Sequence, residues 1–314
     1  MIISGLDEAA LGPNLGPFCA CLTSFETADD VEPELYEILS AVIAMEKNVP
    51  GRITIADSKI LYSRSTGIRL LETGVAVFLE ASGLQLPCSF TDLLTALCPP
   101  SDLPSLEESP WFVGAGDILV PRSRDSVDPI SKLGISLEKS GVHLELPILR
   151  FVTAGAFNRE LTAGGGKGNA VRNIITPLLN RALDSSSGRD SVRRVTVDRQ
   201  GGRRYYGEWL SELMPGAPLR AVEEGPKRST YEEGERRIEF LVGADGIRLE
   251  VALASMIAKY VRETAMLLFN AWWADRVPGI RPTAGYPQDA RRFIADLDAA
   301  GVVPEDRDTL IRRL

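Results

Sequence analysis

The opening of the chain most restricts its fold, because a short apolar segment runs directly into two acidic residues and a tight turn. Residues 2–6 are apolar and β-prone, and Asp7 and Glu8 follow at once. Residues 9–17 are rich in glycine and proline, and residues 16–25 form a second β-prone segment. Two β-prone segments around a Gly/Pro turn predict a hairpin that begins a sheet.

Later segments extend this sheet and cover it with helices. Further strands are predicted at 53–56, 194–197, 219–222 and 238–242. Apolar residues at helical spacing predict helices at 33–47, 65–81 and 248–273, and further helices are expected at 170–183, 287–300 and 305–313. Strands that lead and helices that close the chain predict an α/β fold, with a mixed central sheet flanked by helices.

Residues 85–145 break this regularity. Prolines interrupt the segment repeatedly, and its apolar residues follow neither the helical nor the strand period. We therefore expect an irregular insertion or small subdomain. The glycine-rich loop at 163–169 is not a Walker phosphate loop, because its glycine and Ser/Thr positions do not fit. The predicted domains are a core at 1–84 and 166–275, an insertion at 85–165, and a C-terminal helical segment at 276–314.

The amino-acid composition restricts the kinds of catalytic site that the chain can form. The 314 residues include one histidine, His143, which excludes a histidine-rich zinc site and allows a Ser-His-Asp triad only if that residue supplies it. The four cysteines are too few and scattered for a disulfide scaffold, so core packing is expected. A catalyst built from this sequence must use carboxylates, which favour Mg²⁺ or Mn²⁺.

The chain also lacks sequence signals for a membrane. It has no apolar run of about 18 residues, and its N-terminus lacks a basic region followed by an apolar run. A cytoplasmic protein with no membrane partner is therefore expected. The sequence does not fix an oligomeric state, and a monomer is favoured.

Basic residues are clustered although the net charge is −8. The two groups are Arg189, Arg193, Arg194, Arg199, Arg203 and Arg204, and then Lys227, Arg228, Arg236 and Arg237. Clustered cations are typical of a surface that binds nucleic acid, and the alternative is two solvated faces. Arg199, Arg203 and Arg204 adjoin Asp198, which favours phosphate contact for them.

Acidic residues stand at the ends of apolar strands, where a sheet presents side chains to a cleft. They are Asp7 and Glu8, Asp198 after residues 195–197, and Asp245 after residues 240–244. Grouped carboxylates repel until cations neutralise them, and two divalent ions so held can hydrolyse a phosphodiester. Taken singly, each acid has a structural alternative as a turn or cap residue, and Asp245 precedes a helix that it could cap.

Glu8 poses a separate question of direction. It follows Asp7 directly, so on a regular strand its side chain points to the opposite face of the sheet. For both residues to reach one site, either the turn bends the backbone or Glu8 acts through its carbonyl group.

These acids lie in motifs that resemble the type 2 ribonuclease H family (ribonucleases HII and HIII). Residues 5–17, GLDEAALGPNLGP, are similar to the family's G-[IV]-D-E-A-G-R-G-P-x-x-G-P. Residues 56–61, ADSKIL, resemble its D-S-K-x-L segment, and residues 254–259, ASMIAK, resemble A-S-[IL]-x-A-K. Residues 285–287, GYP, resemble its G-Y-P/G-T segment.

The resemblance implies a ribonuclease H-like fold and a two-metal site of Asp7, Glu8, Asp198 and Asp245. It implies endonucleolytic cleavage of RNA in RNA–DNA hybrids, or at ribonucleotides embedded in duplex DNA. It also implies that Lys59 and Ser255 lie at or near the site, and that Tyr286 stacks on the sugar at the cleavage junction. The alternatives are that Lys59 only pairs with Asp57 and that Tyr286 is a packed turn residue.

The sequence departs from the family at the loop that contacts the ribonucleotide. The family's G-R-G is Ala10-Leu11-Gly12 here, so the arginine side chain is missing and backbone contacts alone could persist. Arg291 stands near the position where the family usually has a histidine. Two other functions therefore stay open: a nuclease of this fold with another nucleic-acid substrate, and a non-catalytic protein that binds nucleic acid.

Overall fold

The structure is a computed structural model of the chain. It describes residues 1–28, 34–62, 67–112, 118–122, 128–184, 192–199, 201–302 and 306–313. Its strands are β1 (Ile2–Ala9), β2 (Phe18–Thr27), β3 (Ile43–Ala44), β4 (Ile53–Thr54), β5 (Cys88–Ser89), β6 (Leu119–Val120), β7 (Val142–Leu144), β8 (Ile148–Val152), β9 (Arg193–Asp198), β10 (Arg220–Glu224), β11 (Arg228–Glu233) and β12 (Arg236–Leu241).

The α-helices lie around these strands. They are α1 (Leu35–Ile38), α2 (Ser58–Leu61), α3 (Arg69–Ala81), α4 (Phe90–Leu97), α5 (Asp128–Lys139), α6 (Ala154–Gly164), α7 (Lys167–Leu183), α8 (Gly207–Leu213), α9 (Leu249–Arg276) and α10 (Pro287–Ala300). Short 3₁₀ helices cover Leu103–Leu106, Ala244–Gly246 and Arg307–Thr309. No helix in the described ranges is long and apolar enough to span a bilayer.

A mixed sheet forms the centre of the fold, as predicted. Its strands run in the order β10-β11-β12-β9-β1-β2-β7, and β8 also pairs with β2. Strand β9 is parallel to β1 and to β12, whereas the hairpin pair β1–β2 is antiparallel. The carboxyl ends of β1, β9 and β12 therefore meet at one edge of the sheet, which is where ligands commonly bind in open α/β sheets.

Strand alternation divides the interior into two layers. Along β1, Ile3 packs into the core that includes α3 and α9, and Leu6 packs into the core that includes α7 and α8. Along β9, Val195 and Val197 belong to the second layer. Because successive side chains of a strand point to opposite faces, this register decides which acids can face one another.

The predicted helix at 33–47 is wrong. Residue 33 lies outside the described residues, α1 covers only Leu35–Ile38, and the chain then forms β3, which pairs with β4 in parallel. Leu35, Leu39 and Ile43 are all buried in the same core. Their spacing looked helical because each residue packs on that core from irregular backbone, and the burial pattern alone does not separate the two cases.

The predicted insertion at 85–165 has more regular secondary structure than its sequence indicated. It contains α4, α5 and α6, and its strands β7 and β8 pair with β2 of the central sheet. Phe90 and Phe151 from this region join the core beneath α9, with ring centroids 6.3 Å apart. The division of the chain at residues 84, 166 and 275 stays a prediction.

The C-terminus differs from its prediction as well. In place of a helix at 305–313, the described residues form a 3₁₀ turn at Arg307–Thr309 and then an extended segment. Ile311 forms an antiparallel bridge with Leu15, and the Arg312 amide donates to the Asn14 carbonyl oxygen over 2.7 Å. The chain end is therefore fixed to the turn that follows β1, where strand-like pairing replaces a helix.

The same turn contains a strained residue. Ala10 has a φ of 72°, in the left-handed region that an L-residue with a Cβ adopts only at a cost. We expect Ala10→Gly to raise the free energy of unfolding by about 1 kcal/mol, because glycine has no Cβ to strain. Urea denaturation of both proteins measures this difference, and an equal or lower midpoint for the glycine variant would contradict it.

Candidate functional site

Asp7 lies inside strand β1 rather than after it. The strand continues to Ala9, so the predicted strand end at residue 6 is too early. Asp7 pairs in register with Cys21 of β2 and is 4% exposed. Counting along the alternation from Ile3, its side chain faces α9. Ser255 of α9 is a hydrogen-bond partner of the Asp7 carboxylate.

Asp198 is the last residue of the neighbouring parallel strand. Leu6 pairs with Val197, so the next residue of each strand, Asp7 and Asp198, comes to the same sheet edge. Both side chains lie on the α9 face, opposite to Val197. The Asp198 Oδ1 atom accepts a 2.7 Å hydrogen bond from the Ala244 amide.

Asp245 reaches the edge from the next strand. It lies in the 3₁₀ turn between β12 and α9, and it is 3% exposed. Helix α9 begins after Arg248 and has no side-chain cap. The alternative that Asp245 caps this helix is therefore wrong, because the 3₁₀ turn separates it from the helix start.

Glu8 takes the opposite direction, as expected on a regular strand. Because β1 continues unbent to Ala9, its side chain lies on the face of Leu6, and its charge acts on Tyr206 in that layer. Its amide donates to Asp7 Oδ1 over 2.7 Å. The structure thus brings Asp7, Asp198 and Asp245 together, and the charge of Glu8 acts on Asp7 as well as on Tyr206.

The grouped acids are electrostatically strained. Burial, followed by the charges of Glu8 and Asp198, raises the pKa of Asp7 well above its ordinary value. Burial also raises the pKa of Asp198. Burial and then the charge of Asp57 raise the pKa of Asp245 to about 6. Carboxylates gathered at such a cost form a site that a cation would stabilise.

Lys59 supplies a positive charge to this group. Its Nζ lies 3.7 Å from Asp245 Oδ2, and 80% of its side chain is exposed. Asp57 instead caps α2, accepting from the Lys59 amide over 2.8 Å, and its charge raises the pKa of Asp245. The alternative that Lys59 pairs only with Asp57 is therefore wrong, since the ammonium group faces the acids at the sheet edge.

Asp57 and Ser58 are site residues that the sequence reasoning did not select. Ser58 Oγ lies 3.1 Å from Ser255 Oγ, so it supports the hydroxyl that reaches Asp7. The signal was present in the segment ADSKIL, from which only Lys59 was taken as a site residue. Sequence spacing alone does not show that α2 packs on α9.

The acidic side chains of the site are of the type that hard cations bind, but the described residues are not arranged as a metal site. Carboxylate oxygens, which Asp7, Asp198 and Asp245 supply, are the donors that Mg²⁺ and Mn²⁺ prefer. Within the described ranges, however, no three Asp, Glu, His or Cys side chains are arranged to hold a metal ion. The predicted metal set of Asp7, Glu8, Asp198 and Asp245 therefore stays a prediction.

The turn after β1 lies against Tyr286, whose stacking on a sugar stays a prediction. A Cβ placed on Gly12 would lie 3.9 Å from Cε1 of the Tyr286 ring. Tyr286 is 47% exposed, so it is not a packed turn residue. Leu11 is partly buried against the core of α7 and α8, and Ala10 has its positive φ. The exposed part of this surface is therefore formed by Gly12 and Tyr286.

Arg199 is held within the protein. It is buried, and its guanidinium donates to the carbonyl oxygens of Arg203, Gly225 (3.0 Å) and Pro226 (2.7 Å) and to Ser229. These contacts join two loops and occupy the donors that a phosphate would need. Its predicted phosphate contact therefore has little support from its placement.

Arg203 is better placed for a phosphate. It is partly exposed, and its Nη2 lies 3.9 Å from the position of a Cβ on Gly168, at the start of α7. Helix N-termini favour anions, so a cation there reinforces the same preference. Its phosphate contact stays a prediction.

Two other arginines of the first basic group do not lie on a solvated face, whereas Arg204 is exposed. Arg193 and Arg194 are buried, and Arg194 lies 3.7 Å from Glu250. Arg189 lies outside the described residues. In the second group, Arg236 and Arg237 form ion pairs with nearby glutamates. Arg194, Arg236 and Arg237 therefore neutralise acids of the protein itself.

Comparison with known proteins gives structural neighbours only. No family model and no curated protein matches the chain, whereas 25 chains of solved structures do. One is ribonuclease HII of Archaeoglobus fulgidus in complex with PCNA, with 12% identity and a TM-score of 0.45, over 99% of this chain and 94% of that one. This neighbour and the structures of Bst ribonuclease HIII and of ribonuclease H2 from Pyrococcus horikoshii are type 2 ribonucleases H.

Two further neighbours are structures of Bst ribonuclease HIII. A mutant of it has 15% identity and a TM-score of 0.48, over 98% of this chain and 65% of that one. Its complex with Mn²⁺ has 12% identity and a TM-score of 0.40, over 99% and 66%. Likeness at this level does not transfer an activity or a ligand to this chain.

Proposed function

We propose that the protein is a metal-dependent endonuclease of the ribonuclease H type. Its substrates are RNA–DNA hybrids or ribonucleotides embedded in duplex DNA. The observation that carries the proposal is the meeting of Asp7, Asp198 and Asp245 on one face of one sheet edge. These acids come from separate segments, in the order of the motifs that resemble the type 2 family.

In this proposal, Mg²⁺ or Mn²⁺ ions supply Lewis acidity and an activated water for phosphodiester hydrolysis. Asp7, Asp198 and Asp245 would hold the ions. Glu8 would contribute through its backbone carbonyl, since its side chain faces the other layer. Ser255 orients the Asp7 carboxylate by its hydrogen bond.

Other residues would hold the substrate. The exposed Lys59 ammonium lies beside the acids, where it can contact a phosphate oxygen. Tyr286 offers an aromatic face next to Gly12, and such a face can stack on a sugar or base.

A cleavage assay tests this proposal. Purified protein is incubated with Mn²⁺ and an end-labelled RNA–DNA hybrid, and the product is resolved on a denaturing gel. We expect cleavage of the RNA strand by the wild type and none by Asp198→Ala. If the wild type cleaves neither the hybrid nor a ribonucleotide-containing duplex, or if Asp198→Ala cleaves as well as the wild type, the proposal fails.

A second candidate is a nuclease of this fold with a different nucleic-acid substrate. The observation that favours it is the turn itself, where Ala10 and Leu11 replace residues that contact the ribonucleotide in the family. All-DNA, hybrid and single-ribonucleotide duplexes in the same assay distinguish the two. Preference for the all-DNA duplex would support the second candidate.

A further inference from the structure

Arg312 is a buried cation that is bonded to the backbone of a turn. Its guanidinium donates to the carbonyl oxygens of Ala10 and Pro13, with Nε 3.0 Å from the latter. Its amide donates to the Asn14 carbonyl oxygen over 2.7 Å, and Asn14 Nδ2 donates back to the Arg312 carbonyl oxygen over 3.1 Å. These bonds hold residues 10–14 against the chain end, and we call them the clamp.

Burial of the Arg312 guanidinium carries an unfavourable free energy of desolvation. Arg312 is fully buried, and burial together with the charge of Arg262 lowers its pKa to about 9. Within the described ranges its Nη1 has no hydrogen-bond partner, and no carboxylate is among the groups that shift its pKa. An apolar side chain would fill the same place between the rings of Phe18 and Phe157 at less desolvation cost.

The turn is held from its other side by the residue before Tyr286. The amides of Asn14 and Leu15 donate to the Gly285 carbonyl oxygen over 2.8 and 3.2 Å. The turn therefore lies between the Arg312 guanidinium and the Gly285-Tyr286 segment. A shift of residues 10–14 would change the separation of Gly12 from the Tyr286 ring.

We propose that Arg312 is a positioning residue that fixes the turn so that Gly12 and Tyr286 form one side of the ribonucleotide-binding groove. The inference rests on the proposed function. Arg312 is buried beneath the turn and acts through its backbone, without touching the substrate. The residue thus determines how tightly the groove binds the ribonucleotide and leaves the acids at the sheet edge unchanged.

Two substitutions test the clamp. Arg312→Met removes the charge and the donors while keeping a long side chain, and Arg312→Lys keeps the charge. We measure kcat and KM with Mn²⁺ on duplex DNA that contains one ribonucleotide. For Arg312→Met we expect KM to rise about tenfold or more, as for other supporting contacts, with kcat within about threefold. Arg312→Lys should recover part of the loss.

Arg313→Met is the matched control. Arg313 lies on the same segment but is exposed and pairs with Asp308, so its loss should leave KM unchanged. Equal effects of the two substitutions, or a fall in kcat without a change in KM, would overturn the inference. If Arg312→Met does not fold, Asn14→Ala removes one bond of the clamp and should raise KM in the same direction.

Hydrogen exchange separates this inference from the proposed function. Faster exchange of the Asn14 and Leu15 amides in Arg312→Met, and not in Arg313→Met, supports the clamp. Unchanged exchange in both variants overturns it. A wild-type protein that cleaves no nucleic acid refutes the proposed function, whatever the exchange shows.

Discussion

Asp7→Asn is expected to abolish cleavage and, at the same time, to stabilise the protein in the absence of metal. The activity should fall about a thousandfold or more, because a ligand to the ions contributes several kcal/mol of transition-state stabilisation. Asparagine retains an oxygen that can accept from the Glu8 amide, which now donates to Asp7 Oδ1 over 2.7 Å. The local backbone should therefore keep its conformation.

The gain in stability follows from the direction of the pKa shift. Burial, Glu8 and Asp198 raise the pKa of Asp7 in the folded protein. A carboxyl group with a raised folded-state pKa stabilises the fold while protonated, and this contribution is lost as the pH rises through that pKa. At neutral pH, Asp7 therefore weakens the fold, and the uncharged amide should restore about 1–2 kcal/mol.

Thermal unfolding in EDTA at neutral pH measures this effect. Asp102→Asn is the matched control, because Asp102 is also a buried aspartate but pairs with Arg150 over 2.7 Å. That variant should lose stability and keep its activity. A lower melting temperature for Asp7→Asn than for the wild type would show that the acids at the sheet edge do not repel one another.

The topology of the site could be predicted from the sequence because strand ends are local features. Apolar runs that stop at Asp198 and just before Asp245 place those residues at a sheet edge, and the structure confirms this. The direction of Glu8 also followed from strand alternation. Residues whose role depends on packing between distant segments could not be found, such as Ser58 against Ser255.

The errors in the fold prediction have more than one physical cause. The segment 33–47 has apolar spacing that a helix would also produce, but tertiary contacts decide its backbone, as they do at the chain end. Strand β11 was missed because its residues are mostly polar, although Ser229, Thr230 and Tyr231 are buried between two neighbouring strands. The clamp formed by Arg312 joins residues that are nearly a full chain length apart in sequence. No local sequence pattern predicts such a contact.

Gly5→Ala should cause a large loss of stability, because the backbone of α9 lies directly on β1 at this residue. A methyl group there would lie 2.5 Å from the Glu250 carbonyl oxygen and 2.5 Å from the Val251 amide nitrogen. The Thr23 hydroxyl also donates to the Glu250 carbonyl oxygen over 2.6 Å, which fixes the distance of α9 from the sheet. Neither backbone can move without separating the sheet from α9.

We expect Gly5→Ala to lower the free energy of unfolding by about 3 kcal/mol or more, beyond the usual range for overpacking, since backbone rather than side chains must yield. Urea denaturation measures this loss. Gly134→Ala is the control, because a methyl group at Gly134 within α5 meets nothing within 4 Å. There alanine should instead stabilise the helix, by about 0.5–1 kcal/mol.

The same substitution connects packing with the site. Helix α9 carries Ser255, whose hydroxyl reaches the Asp7 carboxylate only if the helix stays close to β1. A Gly5→Ala protein that still folds should therefore bind Mn²⁺ more weakly, as measured by calorimetric titration. If its stability and Mn²⁺ affinity both match those of the wild type, α9 does not rest on β1 in the way described.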